Sequence, residues 1–278
     1  MTSCRSRGRP TGRKRGSDMP VKEIREDGTA LFVCPDCGRE FTGDYNIDEN
    51  SFCADTLKSM AERRTCRECD VKRQEELARQ EKLRRQAELD ATLDERLERA
   101  GIPKKFRGME KPFVRHTAEW IYRNRESSLL ISGATGTGKT SSACFIVRLM
   151  LRARYMSVRY TSRQELFADY VRAKTTDGDN EYSFLARLAK IDLLIIDEMV
   201  GKKGDAKLSD SAQELFFNLI DGVYSEARDT RVWLLGNFYR GSIDRLVDDP
   251  EPLKRRLRES FKTAWFDMDR VDETVTPD

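Results

Sequence analysis

The sequence predicts an α/β fold: a parallel sheet flanked by helices, preceded by a small cysteine-rich module and a linker helix. Three observations carry this. Beyond Pro103 short apolar runs alternate with amphipathic stretches, the pattern of an open sheet covered on both faces. One strand-to-helix junction holds the glycine-rich run Gly133-Ala134-Thr135-Gly136-Thr137-Gly138-Lys139-Thr140. Upstream, Cys34-Pro35-Asp36-Cys37 and Cys66-Arg67-Glu68-Cys69 form two tight pairs.

Composition narrows the function classes. At 278 residues the chain has room for one full core and an accessory module. Basic and acidic residues number 51 and 48, so both signs crowd the surface while the formal charge is only +3. Charges interrupt every apolar run, and no stretch approaches the roughly 18 apolar residues of a membrane span. The N-terminus has basic residues without an apolar segment behind them, so no secretory signal is expected. A cytoplasmic setting follows, in which seven cysteines read as thiols or metal ligands. The single histidine, His116, lies in a polar helical stretch and is read as a surface residue. Carboxylate, lysine, thiol or phosphate chemistry remains.

In chain order, residues 1–20 form a basic tail rich in Gly, Ser, Thr and Pro, expected to lack a fold. Its Arg7-Gly8-Arg9-Pro10 resembles the core of an AT-hook, but four residues are a short match and a solvated tail with unspecific affinity for nucleic acid is the preferred reading. Residues 21–70 form the cysteine module. A linker helix is predicted over 71–100, free of Gly and Pro, with Leu89, Leu93 and Leu97 as a narrow apolar seam. Gly101-Ile102-Pro103 ends it. Over 101–270 strands are predicted at Ser128–Ser132, Val158–Thr161, Leu193–Asp197 and Val232–Gly236. Helices are predicted at Lys139–Arg154, Ser162–Ala173, Phe184–Ala189 and Ser211–Ala227, with a surface loop at Thr175–Glu181.

The glycine-rich run fits the P-loop pattern in the strand–loop–helix context that pattern requires. Gly133, Gly136 and Gly138 let the chain curl so that N–H groups from Thr135 to Ser141 face phosphate oxygens at a helix N-terminus. Lys139 would reach the β- and γ-phosphates of ATP, and the Thr140 hydroxyl would ligate magnesium. Leu193-Leu194-Ile195-Ile196 delivers Asp197-Glu198 at a strand end 58 residues after Lys139. Asp197 would hold the magnesium ion and Glu198 polarise a water for attack on the γ-phosphate. An acid in that place favours hydrolysis and disfavours a small-molecule kinase. Asn237, closing the fourth strand, is read as orienting the water or detecting the γ-phosphate. Lys254-Arg255-Arg256-Leu257-Arg258 is either a solvated helix face or the source of an arginine finger for a neighbouring subunit.

Cys34, Cys37, Cys66 and Cys69 suit a zinc site of four thiolates. The 28 intervening residues exceed the usual separation, and Cys53 lies between the pairs as a substitute ligand; free thiols are the other reading. Cys4 and Cys144 are assigned no role. Arg172 and Lys174, with Phe167 and Tyr170, offer a surface for single-stranded DNA or, for the aromatics, a contribution to the core.

Taken together, these residues resemble the AAA+ P-loop ATPases of the DnaC-type helicase loaders and their phage relatives. The resemblance covers about Ala100 to Trp265. It runs through Gly101-Ile102-Pro103-Lys104-Lys105-Phe106, the P-loop, Leu193 to Glu198, Glu214 to Asp221, and Leu235-Gly236-Asn237. It implies an ATP-dependent homo-oligomer that grips a replicative helicase and places it on single-stranded DNA. Asn237 resembles the first sensor and Arg256 the arginine finger, ambiguously with Arg255 and Arg258. Gly222-Val223 stand where the family usually carries an arginine. The cysteine module resembles that of phage-type loaders, where it contacts the helicase; contact with DNA is the competing use. Two other functions share these residues, an IstB-like transposition helper and a nucleotide-gated DNA-binding adaptor with little turnover.

Overall fold

The computed structural model describes residues 21–45, 64–200, 207–225, 229–238, 242–267 and 271–273. The basic tail with Arg7 to Pro10, Cys4, Cys53 and the predicted helix end at Ala227 lie outside the described residues. The chain divides into two compact units, 1–84 and 85–278.

In the first unit β1 (Val21–Ile24), β2 (Thr29–Val33) and β3 (Glu40–Asp44) form an antiparallel meander. Gly28 supplies the positive φ for the first turn, where the Asp27 carboxylate accepts from the Thr29 N–H. The apolar interior is very small: Phe32 and Ala30 are fully buried, with Phe41 stacked on Phe32 at 5.4 Å. The chain then enters α1 (Arg67–Ala91), which starts four residues earlier than its sequence suggests. Arg39 pairs with Glu68, and Arg73 with Asp36, joining the meander to the first turns of this helix.

The second unit is a sheet with helices on both faces. Its strands are β4 (Leu129–Gly133), β5 (Val158–Ser162), β6 (Leu193–Asp197), β7 (Arg231–Gly236), β8 (Lys262–Phe266) and β9 (Val271–Asp272). Their order is β5-β6-β7-β4-β8-β9, parallel throughout except for β9. Every residue of β4 and β6 is buried, which is why these strands read as unbroken apolar runs instead of alternating ones. Alternate side chains enter two cores. Leu129, Ile131, Leu193, Ile195 and Trp233 pack on one side, and Leu130, Leu194, Ile196, Val232 and Leu234 on the other.

The first face carries α2 (Leu93–Arg99), α3 (Lys104–Arg107), α4 (Arg115–Arg123) and α5 (Lys139–Ala153). The second carries α6 (Arg163–Thr175), α7 (Glu181–Leu188), α8 (Asp210–Tyr224), α9 (Ser242–Leu246) and α10 (Pro250–Ser260). Capping boxes at Ser162 and Asn180 start α6 and α7. The predicted linker helix breaks at Thr92, and its apolar seam of Leu89, Leu93 and Leu97 is buried. Strand β8 was not legible as a strand, because Lys262-Thr263-Ala264-Trp265-Phe266 has too short an apolar run after a basic helix; its pairing with β4 creates it.

Because Leu97 is wholly buried in the core of this unit, Leu97→Ala should cost about 3 kcal/mol. Urea denaturation checks this, and a solvated linker helix would show almost no change.

Candidate nucleotide and metal sites

Three parallel strands end at one edge of the sheet, where ligands bind open α/β folds. Strand β4 runs into the P-loop, β6 into Asp197-Glu198, and β7 into Asn237. Main-chain bonds lock the tips together, with the Met199 N–H donating to Leu235 O and the Asn237 N–H to Val200 O. A cleft of about 770 Å³ opens there, lined by Thr135, Gly136, Lys139, Thr140, Asp197 and Asn237 among others.

The loop's glycines do different work. Gly133 has φ +143 and lies against β8, where a Cβ would sit 2.2 Å from Phe266 O. Gly136 has φ +92 and faces open space, leaving the main chain accessible to a ligand. Gly138, the helix N-cap at φ +77, packs on Val114. Thr137 is buried and its hydroxyl donates to Ala134 O, while the Ser141 hydroxyl donates to Gly138 O. Thr135 and Gly136 remain exposed at the mouth.

Lys139 lies along the loop, its ammonium donating to Gly133 O and Ala134 O at 2.7 Å and to Asn237 Oδ1 at 3.2 Å. Thus the lysine and the sensor-like asparagine, 98 residues apart, are in contact. The Thr140 hydroxyl donates to Asp197 Oδ2 at 2.8 Å. These are the two groups assigned to magnesium, and a hydroxyl beside a carboxylate is a hard oxygen pair suited to that ion. Glu198 has φ +56, the one non-glycine residue with positive φ among those described. That turn returns its N–H to Asp197 Oδ1 at 2.8 Å and leaves the side chain exposed in the cleft. A non-glycine residue held there stores strain of a kind that clusters at functional sites.

Lys105 and Phe106, from the segment Gly101 to Phe106 that carries part of the resemblance, line the cleft; Phe113, Arg163 and Gln164 line it too and had no signal in the sequence. Tyr160 reaches Asp197 from β5, its hydroxyl donating to Asp197 Oδ2 at 2.6 Å.

Other expected sites resolve differently. Arg256 is half-buried, its Nε 2.8 Å from Asp221 Oδ1 and its guanidinium over the Tyr224 ring; Arg255 and Arg258 are exposed. On α6 the aromatics belong to the core. Tyr170 is fully buried edge-to-face against Phe184, Phe167 packs on the core, Arg172 pairs with Asp169, and Lys174 pairs with Glu214. His116 is half-buried and contacts Asp267 O. Cys144 is buried, and burial pushes its thiol up to about 12, so it stays protonated.

In the first unit the Sγ atoms of Cys34, Cys37, Cys66 and Cys69 lie within 4.8 Å of one another. Cys37 and Cys66 sulfurs are 3.6 Å apart, close to the edge of roughly 3.8 Å that zinc–sulfur bonds of about 2.3 Å give a tetrahedron. One pair sits on the turn between β2 and β3, where Gly38 at φ +71 donates its N–H to Cys34 O; the other flanks the start of α1. Burial opposes ionisation of Cys34, yet main-chain N–H groups of Cys66, Cys37 and Asp36 bring its thiol down to about 6. The neighbouring sulfur of Cys37, then burial, push Cys69 up to about 12. Crowded sulfurs of this kind suit a soft divalent cation, which would relieve their mutual repulsion.

The glycine-rich loop on the central strand, with a carboxylate on the second strand across, defines a P-loop ATPase of the AAA+ type. Residues 49–232 match the family described as IstB-like ATP binding protein, and the chain belongs to that family. Among solved structures it is similar to the DnaC helicase loader, at 18% identity over 55% of this chain and 87% of that one, with a TM-score of 0.41. It is similar to DnaI at 18% identity over 55% and 82% of the two chains, TM-score 0.41. It is also similar to AMPPCP-bound DnaA from Aquifex aeolicus at 18% identity over 55% and 45%, TM-score 0.42, spanning less than half of that protein. No curated protein matches. Among the described residues, no helix is long and apolar enough to cross a membrane.

Burial, only partly countered by Asp197, brings the Lys139 ammonium down to about 8. A bound triphosphate favours the charged form, so above that pH nucleotide binding must take up a proton. The expected dissociation constant is flat below pH 7 and rises toward about tenfold per unit beyond pH 8. Calorimetry in buffers of different ionisation heat checks both the rise and the proton uptake; a flat profile to pH 9.5 contradicts it.

Proposed function

We propose that this ATPase is a helicase loader that binds and hydrolyses ATP with magnesium to place a replicative helicase on single-stranded DNA during replication. The observation that carries the reading is the meeting of Lys139, Thr140, Asp197 and Asn237 on one cleft into which Glu198 projects, in a chain whose motif order resembles the loaders. In this reading loop N–H groups from Thr135 to Ser141 and the Lys139 ammonium hold the phosphates. Thr140 and Asp197 would hold magnesium, which would supply charge neutralisation to the phosphates. Glu198 takes the proton of the attacking water, and Asn237 orients it.

Arg256 is assigned as the finger toward a neighbouring subunit. Its ion pair with Asp221 means that reaching a neighbour's nucleotide exchanges a carboxylate for a phosphate; Arg255 and Arg258, being exposed, are the alternatives. The protein then works as an ATP-dependent homo-oligomer in the cytoplasm of a host carrying a phage or prophage. Cys34, Cys37, Cys66 and Cys69 hold a structural zinc ion in the module that meets the helicase. Supporting zinc is the donor set: four sulfurs within 4.8 Å of one another around a module with almost no apolar core of its own. Purified protein should contain one zinc per chain by mass spectrometry, falling near zero in Cys66→Ser/Cys69→Ser; full zinc in that variant would remove the assignment.

A second reading is favoured by the family match itself: an IstB-like transposition helper, which would act beside a transposase. Affinity capture from the native host separates the two. Glu198→Gln, which should bind ATP but hydrolyse it at least about a hundredfold more slowly, is the bait of choice because it traps the ATP state. Recovery of a hexameric helicase with ATP, and its loss with Lys139→Ala, supports loading; recovery of a transposase supports the alternative. A Glu198→Gln protein that retains biological activity where Lys139→Ala loses it would make the chain a nucleotide-gated adaptor.

A further inference from the structure

We propose that Tyr160 is a positioning residue for the magnesium-holding carboxylate of Asp197. The inference deepens the reading above and rests on Asp197 as the magnesium acid.

Asp197 ends a strand that is buried along its whole length, and the residue itself is only 7% exposed. A carboxylate so placed needs donors to offset its lost hydration. Three are present. Thr140 and Tyr160 both donate to Oδ2, at 2.8 and 2.6 Å, and the Glu198 N–H donates to Oδ1 at 2.8 Å. Two of these come from residues inside the motifs, but Tyr160 comes from neither. It stands on the edge strand β5, paired with Ile195, while Ser162 pairs with Asp197. Residues two apart on a strand share a face, so the tyrosine ring points the same way as the residue beside Asp197. The ring then spans the step across and along the sheet with its hydroxyl at the far end.

The origin of that ring is also fixed. The Tyr160 N–H donates to Ala100 O at 2.7 Å on the outer side of β5, away from β6. Gly101, at φ +78, lies so close that a Cβ there would sit 2.6 Å from Tyr160 O. The segment Ala100-Gly101 therefore clamps the main chain of Tyr160, and the phenol arrives at Asp197 from a rigid base. Burial and the Asp197 charge push the phenol above its ordinary range, which keeps it a donor.

Two donors on Oδ2 and one on Oδ1 set the plane of the carboxylate before any metal arrives. Without the phenol the side chain keeps Thr140 and its neighbour's N–H but regains rotational freedom, which metal capture must then remove. Phenylalanine preserves the ring packing and deletes only the donor.

The test is the gain in ADP affinity produced by magnesium, measured by calorimetry in EDTA and over a series of free Mg2+ concentrations. Tyr160→Phe should bind ADP in EDTA as the wild type does, showing that the P-loop is folded, while its magnesium-dependent gain falls roughly three- to tenfold. Loss of packing alone would lower the melting temperature and the bound fraction without moving that ratio. A wild-type or larger gain in Tyr160→Phe, with the gain lost in Asp197→Asn, overturns the role of Tyr160 while leaving Asp197 in place. A wild-type gain in Asp197→Asn removes Asp197 as the magnesium acid and the proposal with it.

Discussion

The parallel pairing of β6, β7 and β4 is the constraint on which the site depends. Ser132 lies opposite Gly236, and Ile196 opposite Leu234, so the three strands finish at the same edge of the sheet. A slip of one residue in any of these pairings would exchange its two buried faces, moving Leu130 or Leu194 into the wrong core and carrying the strand's final residue away. Burial on both faces thus specifies the register, and the register brings Lys139 to Asn237 and Thr140 to Asp197. Residues 98 and 57 positions apart meet because apolar side chains elsewhere in the strands allow one alignment.

The same burial makes the site electrically expensive. Lys139 and Asp197 are taken substantially out of water, and the protein answers with its own dipoles. Main-chain carbonyls of the loop receive the ammonium, and hydroxyls and an N–H receive the carboxylate. Glu198 is held at positive φ so that its N–H serves Asp197 while its side chain faces the cleft. Two large cores on either side of the sheet offset these costs. The small unit follows a different logic, since Phe32, Ala30 and Phe41 make too little interior to organise it; its order lies in turns, ion pairs and the four sulfurs.

Much of the larger unit was legible because its strands are buried on both faces and therefore contiguous in sequence. Leu193-Leu194-Ile195-Ile196 and Val232-Trp233-Leu234-Leu235 could be read without knowing their neighbours. The Leu89, Leu93 and Leu97 seam was visible too, but its partner was not: periodicity marks an apolar face without saying what covers it, and the face proved to be buried. Tyr170 shows the opposite error, an aromatic beside basic residues that suggests a ligand surface until its ring is seen against Phe184. Strand β8 escaped because a short, mixed run becomes a strand only when a neighbour pairs with it.

What the sequence determined by itself is local chemistry. A loop of glycines ending in Lys139-Thr140, acids at the end of an apolar run, and two close cysteine pairs are each specified over a few residues, because backbone freedom, charge and ligand spacing are short-range properties. Tertiary structure alone decided which of these groups touch, which arginine of the basic helix is held by Asp221, and that a tyrosine outside every motif should hold the acid. Such contacts depend on strand order and register, which arise from the fit of whole buried faces and leave no mark in any single stretch of chain.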